Sequence, residues 1–195
     1  KCPIMKKTYA LIATLLFSQP FFATNIPDAN FEQTLINLGY DSGTPDGTVP
    51  NVNINTITTL DVYFSNISDL TGIEDFVALT SLNCSYNNLT NLDLSQNTNL
   101  IELSCSWNQL NNLDVSHNVE LQILQCGGNQ ISNLDVNSNT NLLNLSCGIN
   151  QLSSLDVSNN PVLGYLDCSQ NIITSLNLTG AIALQSLYCH LNQLN

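Results

Sequence analysis

From Leu79 onward the chain aligns with itself every 21 residues: LTSLNCSYNNLTNLDLSQNTN, LIELSCSWNQLNNLDVSHNVE, LQILQCGGNQISNLDVNSNTN, LLNLSCGINQLSSLDVSNNPV, LGYLDCSQNIITSLNLTGAIA, then LQSLYCHLNQLN. The register never slips. A period this short means that one small unit is stacked many times, since a lone unit cannot bury its own apolar edge. Counting from Leu79 as position 1, apolar residues fall at positions 1, 4, 6, 11, 14 and 16. These are not heptad spacings, although 21 residues equal three heptads. Positions 4 and 6 lie roughly 200° apart on a helix but on the same side of a strand, so each unit reads as a coil of short extended segments. The unit also resembles itself at half its length, which predicts two extended segments per coil.

Composition follows from the repeat. Leu supplies 32 residues and Asn 30, so two residue types fill 62 of 195 positions. One Asn column, at position 9, holds Asn87, Asn108, Asn129, Asn150, Asn171 and Asn192; a second holds Asn97, Asn118, Asn139 and Asn160. Asn tolerates tight-turn backbone and can hydrogen-bond the main chain of a neighbouring coil, so both columns are expected to be structural. Cys84, Cys105, Cys126, Cys147, Cys168 and Cys189 share position 6. On successive parallel strands these side chains point the same way, a geometry that disfavours disulfide torsion and offers no tetrahedral metal site. Free, buried thiols acting as small hydrophobes are expected.

The signature LxxLxCxxNxL resembles the leucine-rich repeat, with Cys in place of its sixth-position Leu, over residues 57 to 195. A 22-residue unit, ITTLDVYFSNISDLTGIEDFVA from Ile57 to Ala78, resembles an ordinary internalin-type repeat, with Val62 in the cysteine column and Ser65 in that of Asn. Among leucine-rich repeats the cysteine-bearing unit looks most like the internalins, secreted bacterial surface proteins. The resemblance implies a mainly β fold: a right-handed solenoid with a parallel sheet on its concave face, short extended segments on its back, and a surface used for binding or adhesion.

Upstream of the array, residues 24 to 56 read as a small helical cap. Asp28 can start a helix that runs to about Leu38, with Phe31, Leu35 and Leu38 on one side and Gly39 as its stop. Asp41 to Gly47, DSGTPDG, reads as a loop; it lacks the closing Glu of a calcium loop. Residues 1 to 23 read as an export signal, with Lys6 and Lys7 ahead of an apolar run; residues 1 to 4 precede its natural start. The array stops at Asn195 midway through a coil, so a C-terminally truncated fragment of a secreted or cell-surface protein is expected.

Charge excludes several partners. Lys1, Lys6 and Lys7 are the only Lys or Arg residues, whereas all 15 acidic residues lie from Asp28 onward, for a formal net charge of −12. A body without Lys or Arg repels nucleic acid and anionic membrane. Asp93, Asp114, Asp135 and Asp156 form an outward column whose neighbours repel by about 0.8 kcal/mol per pair before screening. Turn amides and hydroxyls are expected to hold them, with calcium as the alternative.

Exposed aromatic groups mark the place to look for a ligand. Phe64, Tyr86 and Trp107 occupy position 8 of three successive coils, and Tyr165 and Tyr188 lie on later strands. With Glu102 and Asp167 they are expected on the concave face, where Gly127, Gly128 and Gly148 clear a flat patch. Rigid aromatic area of this kind anchors protein or carbohydrate. Asp167, Ser169 and His190 allow a hydrolase-like trio to be drawn, but a flat parallel sheet closes no pocket over it. His117 reads as solvated at a turn. The expectation is a non-enzymatic binding module with no cofactor and no metal, with a structural spacer as the alternative reading.

Overall fold

The computed structural model describes residues 22–194, so nearly all of the expected export signal lies outside the described residues. Eleven short strands and two helices follow in the order β1 (Ala23–Asn25), α1 (Ala29–Asn37), β2 (Thr48–Pro50), α2 (Asn51–Ile54), β3 (Thr59–Asp61), β4 (Ser81–Asn83), β5 (Glu102–Ser104), β6 (Ile123–Gln125), β7 (Asn144–Ser146), β8 (Ser154–Asp156), β9 (Tyr165–Asp167), β10 (Ser175–Asn177) and β11 (Ser186–Tyr188). Seven strands, ordered β11-β9-β7-β6-β5-β4-β3, form one parallel sheet. The register joins like to like: Leu82 faces Leu60 and Leu103, and Leu166 faces Leu145 and Leu187. Each strand comes from the same place in its repeat, so the 21-residue period is one lap of a solenoid.

The six apolar columns point inward. In one coil, Leu100, Leu103, Cys105, Leu110, Leu113 and Val115 are all buried. Burying a side chain of the Leu class stabilises by about 1.5–3 kcal/mol, and the stack repeats this in every lap. Ring packing joins the cap to the array, where Phe31 of α1 lies 6.3 Å from Phe76. Toward the last described coil burial of the inward columns declines: Leu187 is exposed, and Leu184 and Cys189 are only partly buried.

Two extended segments per coil were expected, but the second joins a ladder only in β8 and β10, which pair in parallel. The two kinds of coil differ in sequence at the start of this segment. Position 13 is Asn91, Asn112 and Asn133 in the coils without this strand, and Ser154 and Ser175 in the coils with it; Asn is depleted in strands because it competes for turn conformations.

The cap also differs from the single expected helix. It contains α2, and β1 pairs antiparallel with β2. α2 is one turn long, too short to leave a periodic apolar signal. Asp28 caps α1 with Oδ1, accepting from Asn30 N and Phe31 N, while Oδ2 accepts from Ser68 N, Ser68 Oγ and Asp69 N of the first coil. Burial pushes the Asp28 carboxyl up, but these bonds outweigh it and hold it below its ordinary range. The DSGTPDG loop is held from inside: buried Glu32 accepts from Asp46 N at 2.6 Å and Gly47 N at 2.7 Å. The first coil is one residue longer than the others, so buried Ile73 takes the place of Leu94, and Gly72 just before it makes room for the cap: a Cβ there would collide with Ile26 Cδ1 and Asn25 O.

Candidate functional site

After each strand of the main sheet the chain stays in the ladder for three more residues and then turns. Cys84 N donates to Ser104 O and Tyr86 N to Ser106 O, and the equivalent bonds recur in later coils. At position 8 the backbone becomes left-handed: φ is 51° at Phe64, 57° at Tyr86, 56° at Trp107, 56° at Ile149, 54° at Gln170 and 55° at Leu191. This conformation costs roughly 1–2 kcal/mol in a residue bearing a Cβ. The expected turn residue was the Asn at position 9, but the left-handed residue is the one before it. The Asn instead fastens the turn through its carboxamide, as in Asn108, whose Nδ2 donates to Cys84 O and Cys105 O and whose Oδ1 accepts from Leu89 N.

Four aromatic rings form a file along this corner. Tyr63 lies 5.3 Å from Tyr86 edge-on, Tyr86 stacks on Trp107 at 5.7 Å, and Phe64 lies 6.1 Å from Tyr63. The Trp107 ring then covers Gly128, where a Cβ would meet Trp107 Cδ2 at 2.8 Å. Tyr86 and Trp107 remain 44% and 47% exposed, so the stack keeps an open face. Beside it lies a shallow depression of about 330 Å³ lined by Tyr63, Asn83, Tyr86, Ser104, Trp107 and Gln125. Sequence reasoning missed Tyr63; position 7 holds Ser or Gly in the next five coils and His190 in the last, so only its adjacency to Phe64 marked it.

A second cluster sits farther along the sheet. Tyr165 of β9 and Tyr188 of β11 have ring centroids 5.5 Å apart, and Tyr188 pairs in register with Asp167. Desolvation, with Asp167 and Tyr188 beside it, raises the Tyr165 hydroxyl above its ordinary range. Between the clusters, Gly128, Gly148, Asp167, Ser169 and Gln170 line a cleft of about 180 Å³ whose far wall is Trp107. Glu102 lies on β5 and accepts from Ser81 Oγ at 3.4 Å. Phe64 does not line the sheet depression: it faces a groove against α1, together with Tyr86.

The remaining candidates occupy plain structural settings. Ser169 Oγ donates to Asp167 Oδ1 at 2.6 Å, whereas His190 enters hydrogen bonding through its backbone carbonyl, so the trio has no nucleophile–base contact. Cys84, Cys105, Cys126, Cys147 and Cys168 are free and buried. Desolvation pushes the Cys84 and Cys126 thiols up to about 12 and Cys168 to about 11, so they stay protonated and unreactive at neutral pH. The Asp column closes the opposite turn: Asp93, Asp114, Asp135 and Asp156 each accept from the amide two residues on. His117 is exposed, with Nδ1 3.3 Å from Ser116 Oγ.

No family model matches the chain. Internalin J of Listeria monocytogenes serotype 4b (strain F2365) is 40% identical over 96 residues, which are 49% of this chain and 10% of that protein. The chain therefore matches only about a tenth of that relative's length. An internalin, InlF, from the same Listeria strain has a solved structure with a TM-score of 0.73 at 22% identity, covering 87% of this chain and 58% of that one. The functional domain of InlJ from Listeria monocytogenes, which includes a cysteine ladder, aligns at 29% identity over 89% of this chain and 53% of that one, with a TM-score of 0.44. Coil length, parallel ladder and sequence likeness agree: this is an internalin-like leucine-rich-repeat protein.

Proposed function

We propose that the chain is a recognition module, carried outside the cell or on its surface, that holds a protein or carbohydrate ligand across its concave sheet without enzymatic chemistry. The observation that carries this reading is the stacked Tyr86–Trp107 pair, about half exposed beside a depression lined by Asn83, Ser104 and Gln125. Buried rings stabilise a fold; rings stacked open to solvent on a strained corner supply rigid contact area with little conformational entropy left to lose on binding. The Tyr165–Tyr188 pair offers a second anchor, and Asp167 on β9 and Glu102 on β5 supply acceptors. A partner protein is the reading favoured by the likeness to internalins. With 15 acidic residues and Lys only at positions 1, 6 and 7, a polyanion is the wrong partner.

The test is binding of the folded chain to a panel of cell surfaces and to a glycan array, before and after Trp107→Ala and Tyr86→Ala. Loss of a hot-spot aromatic costs about 2 kcal/mol or more, a fall in affinity of roughly thirtyfold. Binding unchanged in both variants would leave the coils as a spacer that carries another module.

A further inference from the structure

We propose a second binding site, outside the sheet face, in the groove between α1 and the Phe64 corner, and assign it to a neutral saccharide. Asn30, Gln33, Thr34 and Asn37 recur at helical spacings of three, four and seven, which places them on one face of α1, opposite buried Phe31 and Leu35. Phe64 and Tyr86 form the facing wall, with Asn66 and Asn88 at its edge, around a groove of about 580 Å³. This is within the usual size range of small-ligand sites, about 300–1,000 Å³.

The chemistry of the walls selects the ligand. No residue lining the groove carries a charge, in a chain that has 15 acidic residues, two of them, Asp28 and Glu32, at the start of this same helix. A phosphate, sulfate or acidic sugar finds no cation here, and a basic group finds no carboxylate. The amides are held in place: Gln33 Nε2 donates to Asn37 Oδ1, Asn88 Nδ2 to Asn66 Oδ1, and Asn30 Nδ2 to Asn66 O. A carboxamide has two donor hydrogens and two acceptor lone pairs, so with one bond made it still matches adjacent hydroxyls, each of which both donates and accepts. Aromatic faces suit the apolar side of a sugar ring. Phe64 shares the left-handed backbone of the other position-8 residues and is 75% exposed, so its ring face stands open to the groove. Its ring contributes little burial to offset the cost of that backbone.

The site goes beyond the proposed reading of the sheet face and shares only Tyr86 with it. Isothermal titration calorimetry of the chain with maltohexaose, cellohexaose and chitohexaose tests the site. Saturable binding of at least one is expected, equal at low and high salt because no charge is involved. Gln33→Ala and Asn37→Ala each remove a hydrogen-bonding partner and are expected to weaken it about fivefold to tenfold. Phe64→Gly, which also relieves the left-handed backbone, is expected to weaken it more than tenfold while the thermal midpoint holds. Failure of all three sugars to bind overturns the proposal. So does binding that survives Gln33→Ala and Asn37→Ala but is lost in Trp107→Ala, which would place the sugar on the sheet face and leave the first reading standing.

Discussion

Each coil turns two corners, and they are built differently although both contain an Asn column. At the strand exit, backbone is strained and the carboxamide is fully used: Asn108 donates to two carbonyls and accepts from Leu89 N. At the far corner an Asp side chain closes the turn, φ stays negative at every non-glycine residue, and Asn118 Nδ2 donates to Leu94 O and Asn97 O. There the Oδ1 of Asn97, Asn118, Asn139 and Asn160 is buried with no partner in the protein. Among the described residues, every non-glycine residue with positive φ lies at the strand exit. The comparison separates two jobs that a repeat must do. The far corner only reverses the chain, whereas the strand exit fixes the direction of an outward side chain six times over, at Phe64, Tyr86, Trp107, Ile149, Gln170 and Leu191, which is what a surface built for contact needs.

The largest expected effect comes from removing one Asn of each kind. Asn108→Ala strands an amide and two carbonyls, at about 1–3 kcal/mol for each group left unsatisfied, so a loss of about 4 kcal/mol is expected in urea denaturation. Asn118→Ala strands two carbonyls but also removes the lone acceptor, for a loss of about 2 kcal/mol. Equal losses would mean that the Asn118 Oδ1 is satisfied after all and that the two columns do the same work.

Backbone strain gives a smaller effect of opposite sign. Gln170 is exposed and left-handed, so Gln170→Gly is expected to recover about 1–2 kcal/mol of strain against about 0.5–1 kcal/mol of added chain entropy, a net gain of about 0.5–1 kcal/mol. Ser116→Gly at the far corner has no such strain to relieve and should destabilise by about 0.5–1 kcal/mol. Thermal midpoints that move in the same direction in both variants would erase the distinction between the corners.

The contrast also explains what could be read in advance. The apolar, Cys and Asn columns were legible because each recurs in coil after coil, so chance composition cannot mimic them. The left-handed corner was not, because position 8 holds Phe64, Tyr86, Trp107, Gly128, Ile149, Gln170 and Leu191, a set with only one turn-former. The conformation there is imposed by the ladder on one side and the position-9 Asn on the other, not by local preference. The aromatic residues were visible as types, but which of them share a surface was not: Phe64 turns toward α1, and Tyr63 joins Tyr86, through geometry that exists only once coils stack. The cap was legible at Asp28, whose turn of helix is local, and not at α2 or the β1–β2 pair, whose few residues hold by long-range contact.

The smallest expected effect belongs to the far corner's carboxylates. Ser116, through its hydroxyl and its amide, holds the Asp114 carboxyl below its ordinary range, with His117 adding to this; Ser95 and Ser158 do the same for Asp93 and Asp156. A lowered folded-state pKa means that these bonds contribute stability above the unfolded value of about 3.9, and that the contribution is lost as pH falls through the lower folded value. The thermal midpoint should therefore decline between about pH 5 and pH 2, by little per site because the carboxylates are exposed and screened. Ser116→Ala should raise the Asp114 pKa toward its ordinary range in a carboxyl-carbon NMR titration and leave the neutral-pH midpoint almost unmoved. An unmoved Asp114 titration would transfer the far corner's hold on its carboxylates from the serines to the backbone amides alone, and with it the last side-chain contribution that separates this turn from a generic one.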